Sequence, residues 1–189
     1  MLVITGTGRC GTSVLARFCH NCGYIVGGSW NHDANSGMED SRFVDVSNQL
    51  IRGEPEKDTL KYIDTFERRV VKDPRFLRPE VVSAWASRRD DLRILLCVRD
   101  MESVCKSFAA SGLSDREHLE WATEKTHEVF LSMVEIAQAK IPVQLLAFPH
   151  FLDTYDRVHK ILTWGELSID YERGQRIWNG LIDKEKVHF

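Results

Sequence analysis

The stretch 2–15, LVITGTGRCGTSVL, constrains the fold more than any other part of this chain. Leu2-Val3-Ile4 is a short apolar run with β-branched residues, bounded by Gly6, and predicts a buried strand. Residues 7–11 make a glycine-rich turn. Thr12-Ser13 then opens a segment through Phe18 whose apolar spacing suits an amphipathic helix. Strand, glycine turn and helix in that order bring backbone N–H groups and the positive end of a helix dipole to one point. Such a point binds phosphate or another oxyanion.

Two familiar patterns fit those glycines in part. Gly6, Gly8 and Gly11 satisfy G-x-G-x-x-G, a dinucleotide-binding turn, which wants an acidic residue at the end of the next strand. The next strand expected, Tyr24-Ile25-Val26, runs instead into Gly27-Gly28. The same residues also satisfy G-x-x-x-x-G before Thr12-Ser13, a triphosphate loop in spacing. Thr12 stands where the phosphate-binding lysine belongs, and the basic residue sits inside the loop, at Arg9.

A length of 189 residues predicts a single domain over 1–189, large enough to bury its apolar surface without staples. A formal charge of −3 gives no global pull toward nucleic acid or acidic membranes. No apolar run approaches the roughly 20 residues of a membrane span. The first strand starts almost at Met1, leaving no room for a leader, so the expected location is cytoplasmic. The five cysteines, an odd number, read as thiols; Cys19 and Cys22 form a C-x-x-C without a second pair at metal-ligand spacing.

Further along, residues 23–40 are rich in glycine, asparagine and serine, and predict a long functional loop carrying His32, Asp33, Glu39 and Asp40. Ser41 is placed to cap a helix with an apolar stripe from Phe43 to Ile51. After a helix over 57–68, Val70-Val71 reads as a short central strand that Pro74 ends, leaving Lys72, Asp73 and Arg75 at its carboxyl end. A helix over 79–89 precedes LRILLCV at 92–98, the most apolar strand and a central one. It ends in Arg99-Asp100, with Asp100 capping a helix over 101–110 in which Ser103 and Ser107 share a face. A long helix over 115–140, largely apolar on one side, a last strand over 141–147, a helix over 153–164 and a C-terminal helix carrying Trp178 and Leu181 complete the chain. The fold class expected is therefore α/β, a P-loop-like three-layer domain with a central parallel sheet flanked by helices. In such a sheet the strand ends gather on one edge, so Arg9, Lys72 with Arg75, and Arg99 converge there.

Arg9-Cys10-Gly11-Thr12-Ser13 resembles the 5′-phosphosulfate loop of sulfotransferases that use 3′-phosphoadenylyl sulfate (PAPS), which reads roughly basic-x-G-T-[ST] between a strand and a helix. Lys72-Asp73-Pro74-Arg75 and Asn35-Ser36-Gly37-Met38-Glu39 are similar to segments of the bacterial sulfotransferase-like family. Arg99 with Ser107 has the spacing of that family's 3′-phosphate site. The family's glycine-rich segment near the C-terminus has only a trace here, Arg173-Gly174.

The resemblance implies sulfuryl transfer from PAPS to a hydroxyl or amine of a small-molecule acceptor, releasing adenosine 3′,5′-bisphosphate without a metal. It assigns the cofactor to Arg9, Cys10, Gly11, Thr12, Ser13, Arg99 and Ser107, with Lys72 a second cation. The general base is sought in the 27–40 loop: Glu39 by its family-like context, His32 by its unperturbed pKa near 6.5. The alternatives are a small P-loop kinase and a non-catalytic nucleotide-binding module.

Overall fold

The computed structural model describes residues 1–28, 30–31, 36–110 and 118–182. Its elements run β1 (Leu2–Gly6), α1 (Thr12–Asn21), β2 (Trp30–Asn31), β3 (Ser36–Gly37), α2 (Ser41–Ile51), α3 (Lys57–Thr65) and β4 (Val70–Lys72). Then follow α4 (Pro79–Ala86), β5 (Arg93–Val98), α5 (Met101–Ala110), α6 (His118–Gln138), β6 (Val143–Ala147), α7 (Tyr155–Trp164) and α8 (Tyr171–Leu181). Short 3₁₀ turns cover Pro74–Leu77 and His150–Leu152. β2 and β3 pair antiparallel outside the main sheet.

The main sheet is all parallel, in the order β4-β1-β5-β6. Alternate residues divide its side chains between two cores, as a period of two requires. Leu2, Ile4, Val70, Leu95 and Leu146 face α1, α7 and α8, where they meet Leu15, Phe18, Val158 and Trp178. Val3, Val71, Ile94 and Leu96 face the other way and pack with Phe43, Val46, Trp85 and Ile136. The result is a three-layer α/β arrangement. Aromatic rings fill both outer layers: Phe43 stacks on Trp85 with centroids 4.7 Å apart, and Phe18 meets Trp178 edge-on at 5.2 Å.

Three expectations are corrected. Tyr24-Ile25-Val26 is not a strand; Ile25 is 72 % exposed, and the segment leads into glycines that hydrogen-bond elsewhere. Gly28 N–H donates to Glu39 O at 2.7 Å, and a side chain at Gly27 would collide with backbone at Met38 and Glu39. Val70-Val71 lies at the sheet edge rather than its centre, yet stays buried because Val70 packs with Leu15 and Val71 with Phe43. Its burial made an edge strand look central. The cap of α2 is Asp40, not Ser41: its carboxylate accepts from Phe43 N–H at 2.7 Å.

Asp100 caps α5 as expected, accepting from Ser103 N–H at 2.8 Å. α6 is less one-sided than its sequence implies, with Ile136 buried but Phe130 65 % exposed. Among the described residues no disulfide is present and no helix is long and apolar enough to cross a membrane.

Phe43 is the hub of the second core, touching the rings of Phe66, Phe76 and Trp85. Phe43→Ala should lower unfolding free energy in urea by about 3–5 kcal/mol, the scale for truncating a buried phenylalanine.

Candidate functional site

In the order β4-β1-β5 the chain leaves β1 to one side and returns on the other. The crevice beyond the carboxyl ends of β1 and β5 is therefore a topological switch point, where open parallel sheets bind ligands. The 7–11 loop fills this crevice. Gly6 pairs in register with Cys97 of β5, and a side chain there would lie 2.4 Å from both Cys97 O and Cys10 Sγ. Gly8 and Gly11 take φ of 85°, and Arg9 takes 52° although it carries a side chain. For a non-glycine residue that left-handed conformation is strained and needs contacts to hold it.

Those contacts come from β5 and α5. Arg9 Nε donates to Ser107 Oγ at 2.9 Å, and Arg99 Nη1 donates to the Arg9 carbonyl at 3.2 Å. Half-burial, and then the neighbouring Arg99 charge, push the Arg9 pKa down. Two guanidinium groups held that close favour an anion between them. The structure thus brings Arg9, Arg99 and Ser107 together, as the sequence leads one to expect.

Phe148, which sequence reasoning missed, completes this side. It follows β6, its N–H donates to Val98 O at 2.7 Å, and its ring lies 5.0 Å from the Arg99 guanidinium. Phe148 and Phe151 also crowd Gly11, where an added Cβ would sit 2.6–2.7 Å from their rings. Its only sequence signal was its place just past the last strand.

On the other flank, β4 delivers Lys72. Its ammonium, 3 % exposed, donates to Ser13 Oγ at 2.9 Å, to Gly37 O at 2.8 Å and to the Glu39 carboxylate. Ser13 stands in the first turn of α1, so Lys72 ties the helix start to the strand-edge segment 37–39. Because Ser13 Oγ accepts from Lys72, its own proton is left to point elsewhere. Glu39 is thereby joined to the loop; His32, the other proposed base, lies outside the described residues.

Cys10 and Thr12 point inward and are buried. Burial raises the Cys10 thiol pKa, opposed by hydrogen bonds from backbone groups of Gly8, Thr12 and Cys10. With Cys10 and Thr12 buried, the side chains gathered around the loop are those of Arg9, Ser13, Arg99 and Ser107. Arg75 does not join them; it turns back onto Asp73 at 3.1 Å. Asp73 itself is fully buried, and both oxygens are used: one accepts from Ser47 Oγ at 2.7 Å, the other from Arg75 N–H at 3.0 Å. Among the described residues no cluster of three or more His, Cys, Asp or Glu could hold a metal ion.

No family model matches this chain, and no curated protein matches it.

Burial pushes the Asp73 pKa up from 3.8, against the opposing pull of Ser47 and Arg75. A raised folded pKa contributes stability that is full below the unfolded value and lost as pH rises through the folded one. Wild type should lose stability relative to Asp73→Asn over that interval in urea titrations at stepped pH. Parallel curves for the two proteins would contradict the direction of the shift.

Proposed function

We propose that this protein is a PAPS-dependent sulfotransferase acting on a hydroxyl or amine of a small-molecule acceptor. One observation carries the reading: cationic side chains from β4 and β5 flank a single glycine loop, Lys72 on one side and Arg99 with Arg9 on the other. A nucleotide with separate anionic groups suits that layout. The loop, Arg9 and Ser13 take the 5′-phosphosulfate; Arg99 and Ser107 take the 3′-phosphate, the guanidinium as a charge-assisted donor and the hydroxyl as a neutral one.

In the transfer, the acceptor's oxygen or nitrogen forms a bond to sulfur while the bond from sulfur to the bridging phosphate oxygen breaks. Adenosine 3′,5′-bisphosphate leaves. The acceptor's proton passes to a general base, for which Glu39 is the carboxylate at hand. Negative charge growing on the bridging oxygen is met by Arg9 and Lys72. Arginine and lysine supply the charge that a metal would supply elsewhere.

A P-loop kinase reading asks for a carboxylate beside the loop to hold magnesium. Asp73 stands at the right strand end, but its oxygens are engaged by Ser47 and Arg75, which gives that reading no support.

Calorimetric titration tests the proposal. Adenosine 3′,5′-bisphosphate should bind without magnesium, whereas ATP with magnesium should bind weakly and not be turned over. Arg99→Ala should weaken the bisphosphate by about 2–5 kcal/mol, the scale for removing one partner of a buried charged contact. Adenosine 5′-phosphate, lacking the 3′ group, should lose clearly less, only the share that comes from the support Arg99 gives the loop at the Arg9 carbonyl. Equal losses for both nucleotides, or magnesium-dependent ATP turnover, would overturn the assignment.

A further inference from the structure

An ammonium group has three N–H donors, and on Lys72 all three are engaged, by Ser13 Oγ, Gly37 O and Glu39. Lys72 can therefore grip an anion on the loop only by releasing one of these acceptors. Ser13 and Gly37 offer neutral oxygens fixed in the helix start and in β3. Glu39 offers a charged oxygen on a flexible side chain, and at 28 % exposure it keeps access to water that can resolvate it. It is the acceptor most readily exchanged for another anion. A carboxylate oxygen on that ammonium also has the charge and hydrogen-bonding character of a sulfate or phosphate oxygen.

We infer that Glu39 sets an affinity threshold at this site, as a built-in competing anion that a ligand's loop-bound anionic group must displace from Lys72. The inference rests on the anion-site reading of this loop and adds a threshold to it. A lone sulfate or phosphate gains Lys72 only by breaking an ion pair that already exists. A ligand held in addition by Arg9 and Arg99 has further contacts with which to offset that loss. The loss is the same for every anion that takes Lys72, so Glu39 lowers all these affinities alike, and only a ligand with further contacts keeps substantial occupancy. Displacement also frees the carboxylate oxygen that Lys72 holds once the anion has arrived.

The test is calorimetric titration of the full chain with inorganic sulfate and with adenosine 3′,5′-bisphosphate. It compares wild type, Glu39→Gln, Lys72→Met and the double variant. Glutamine keeps an amide oxygen for the third Lys72 bond but removes the charge. Glu39→Gln should bind both ligands about tenfold more tightly, as the pair lies between an exposed ion pair and a buried one. In the Lys72→Met background the same change should bring no gain. A residue that merely braces the 37–39 segment would give unchanged or weaker binding in Glu39→Gln, and that result overturns the inference.

The two levels fail separately. If the bisphosphate binds wild type and Glu39→Gln equally, the anion site stands and the competing role falls. If neither ligand binds any variant, both fall. Should Glu39→Gln not fold, wild type supplies the measurement: saturating sulfate should shift the Glu39 side-chain carboxyl carbon resonance. A resonance that stays put overturns the proposal.

Discussion

The close approach of β1 to β5 at Gly6 is the constraint on which the rest of the site depends. β1 is buried along its whole length between two strands, and the chain must leave it and re-enter a helix on one face within five residues, 7–11. That reversal is open only if nothing projects from Gly6 toward Cys97 O, and if the following residues adopt left-handed conformations. Two of the three are glycine; the third, Arg9, is held there by Ser107 through its side chain and by Arg99 through its carbonyl. The residues that secure the loop's backbone are thus the residues proposed to bind the ligand. Changing either guanidinium therefore alters loop shape as well as charge.

Lys72 poses a different physical problem. Burying an ammonium ion carries a desolvation penalty of several kcal/mol, which only good hydrogen-bonding geometry offsets. Here three acceptors from three parts of the chain meet that demand, and in doing so they fasten α1, β3 and the approach to α2 to the end of β4. A buried charge on an edge strand has a second consequence. Inward-pointing charges discourage a foreign strand from adding to the edge, because pairing would demand that the charge be re-satisfied. One side chain thus serves packing order and edge protection together, at the place where the proposed ligand binds.

Much of this was legible in the sequence, and for identifiable reasons. β1, the loop, α1, β5 and α5 were readable because their signals are local: β-branched runs, glycine spacing, and an aspartate cap at Asp100 that the structure bears out. The approach of Arg9 and Arg99 followed once a parallel sheet was assumed, since topology brings strand ends to one edge, whereas Ser107 was singled out by the family resemblance. What could not be read depended on partners distant in sequence. Val70-Val71 looked central because burial comes from helices as well as from neighbouring strands. Tyr24-Ile25-Val26 has strand composition, but its neighbours Gly27 and Gly28 pack on the 38–40 backbone. The Lys72–Glu39 contact joins residues 33 apart, and Phe148 reaches Arg99 across 49 positions; no periodicity encodes either.

The layout of charge also bears on what the site can hold. Neighbouring strands lie about 4.8 Å apart, so the ends of β4 and β5, two strands apart with β1 between, are separated by about 10 Å. Lys72 and Arg99 thus approach the loop from opposite sides rather than from one point. In the proposed reading a nucleotide with two anionic groups engages both, and Phe148 stands against Arg99 on one of the two sides. The two cationic side chains are anchored at the ends of separate strands, so the sheet sets the distance between their anchor points. In the proposed reading, the distance between a ligand's charges therefore counts as well as their number, and the sheet sets the scale of that distance.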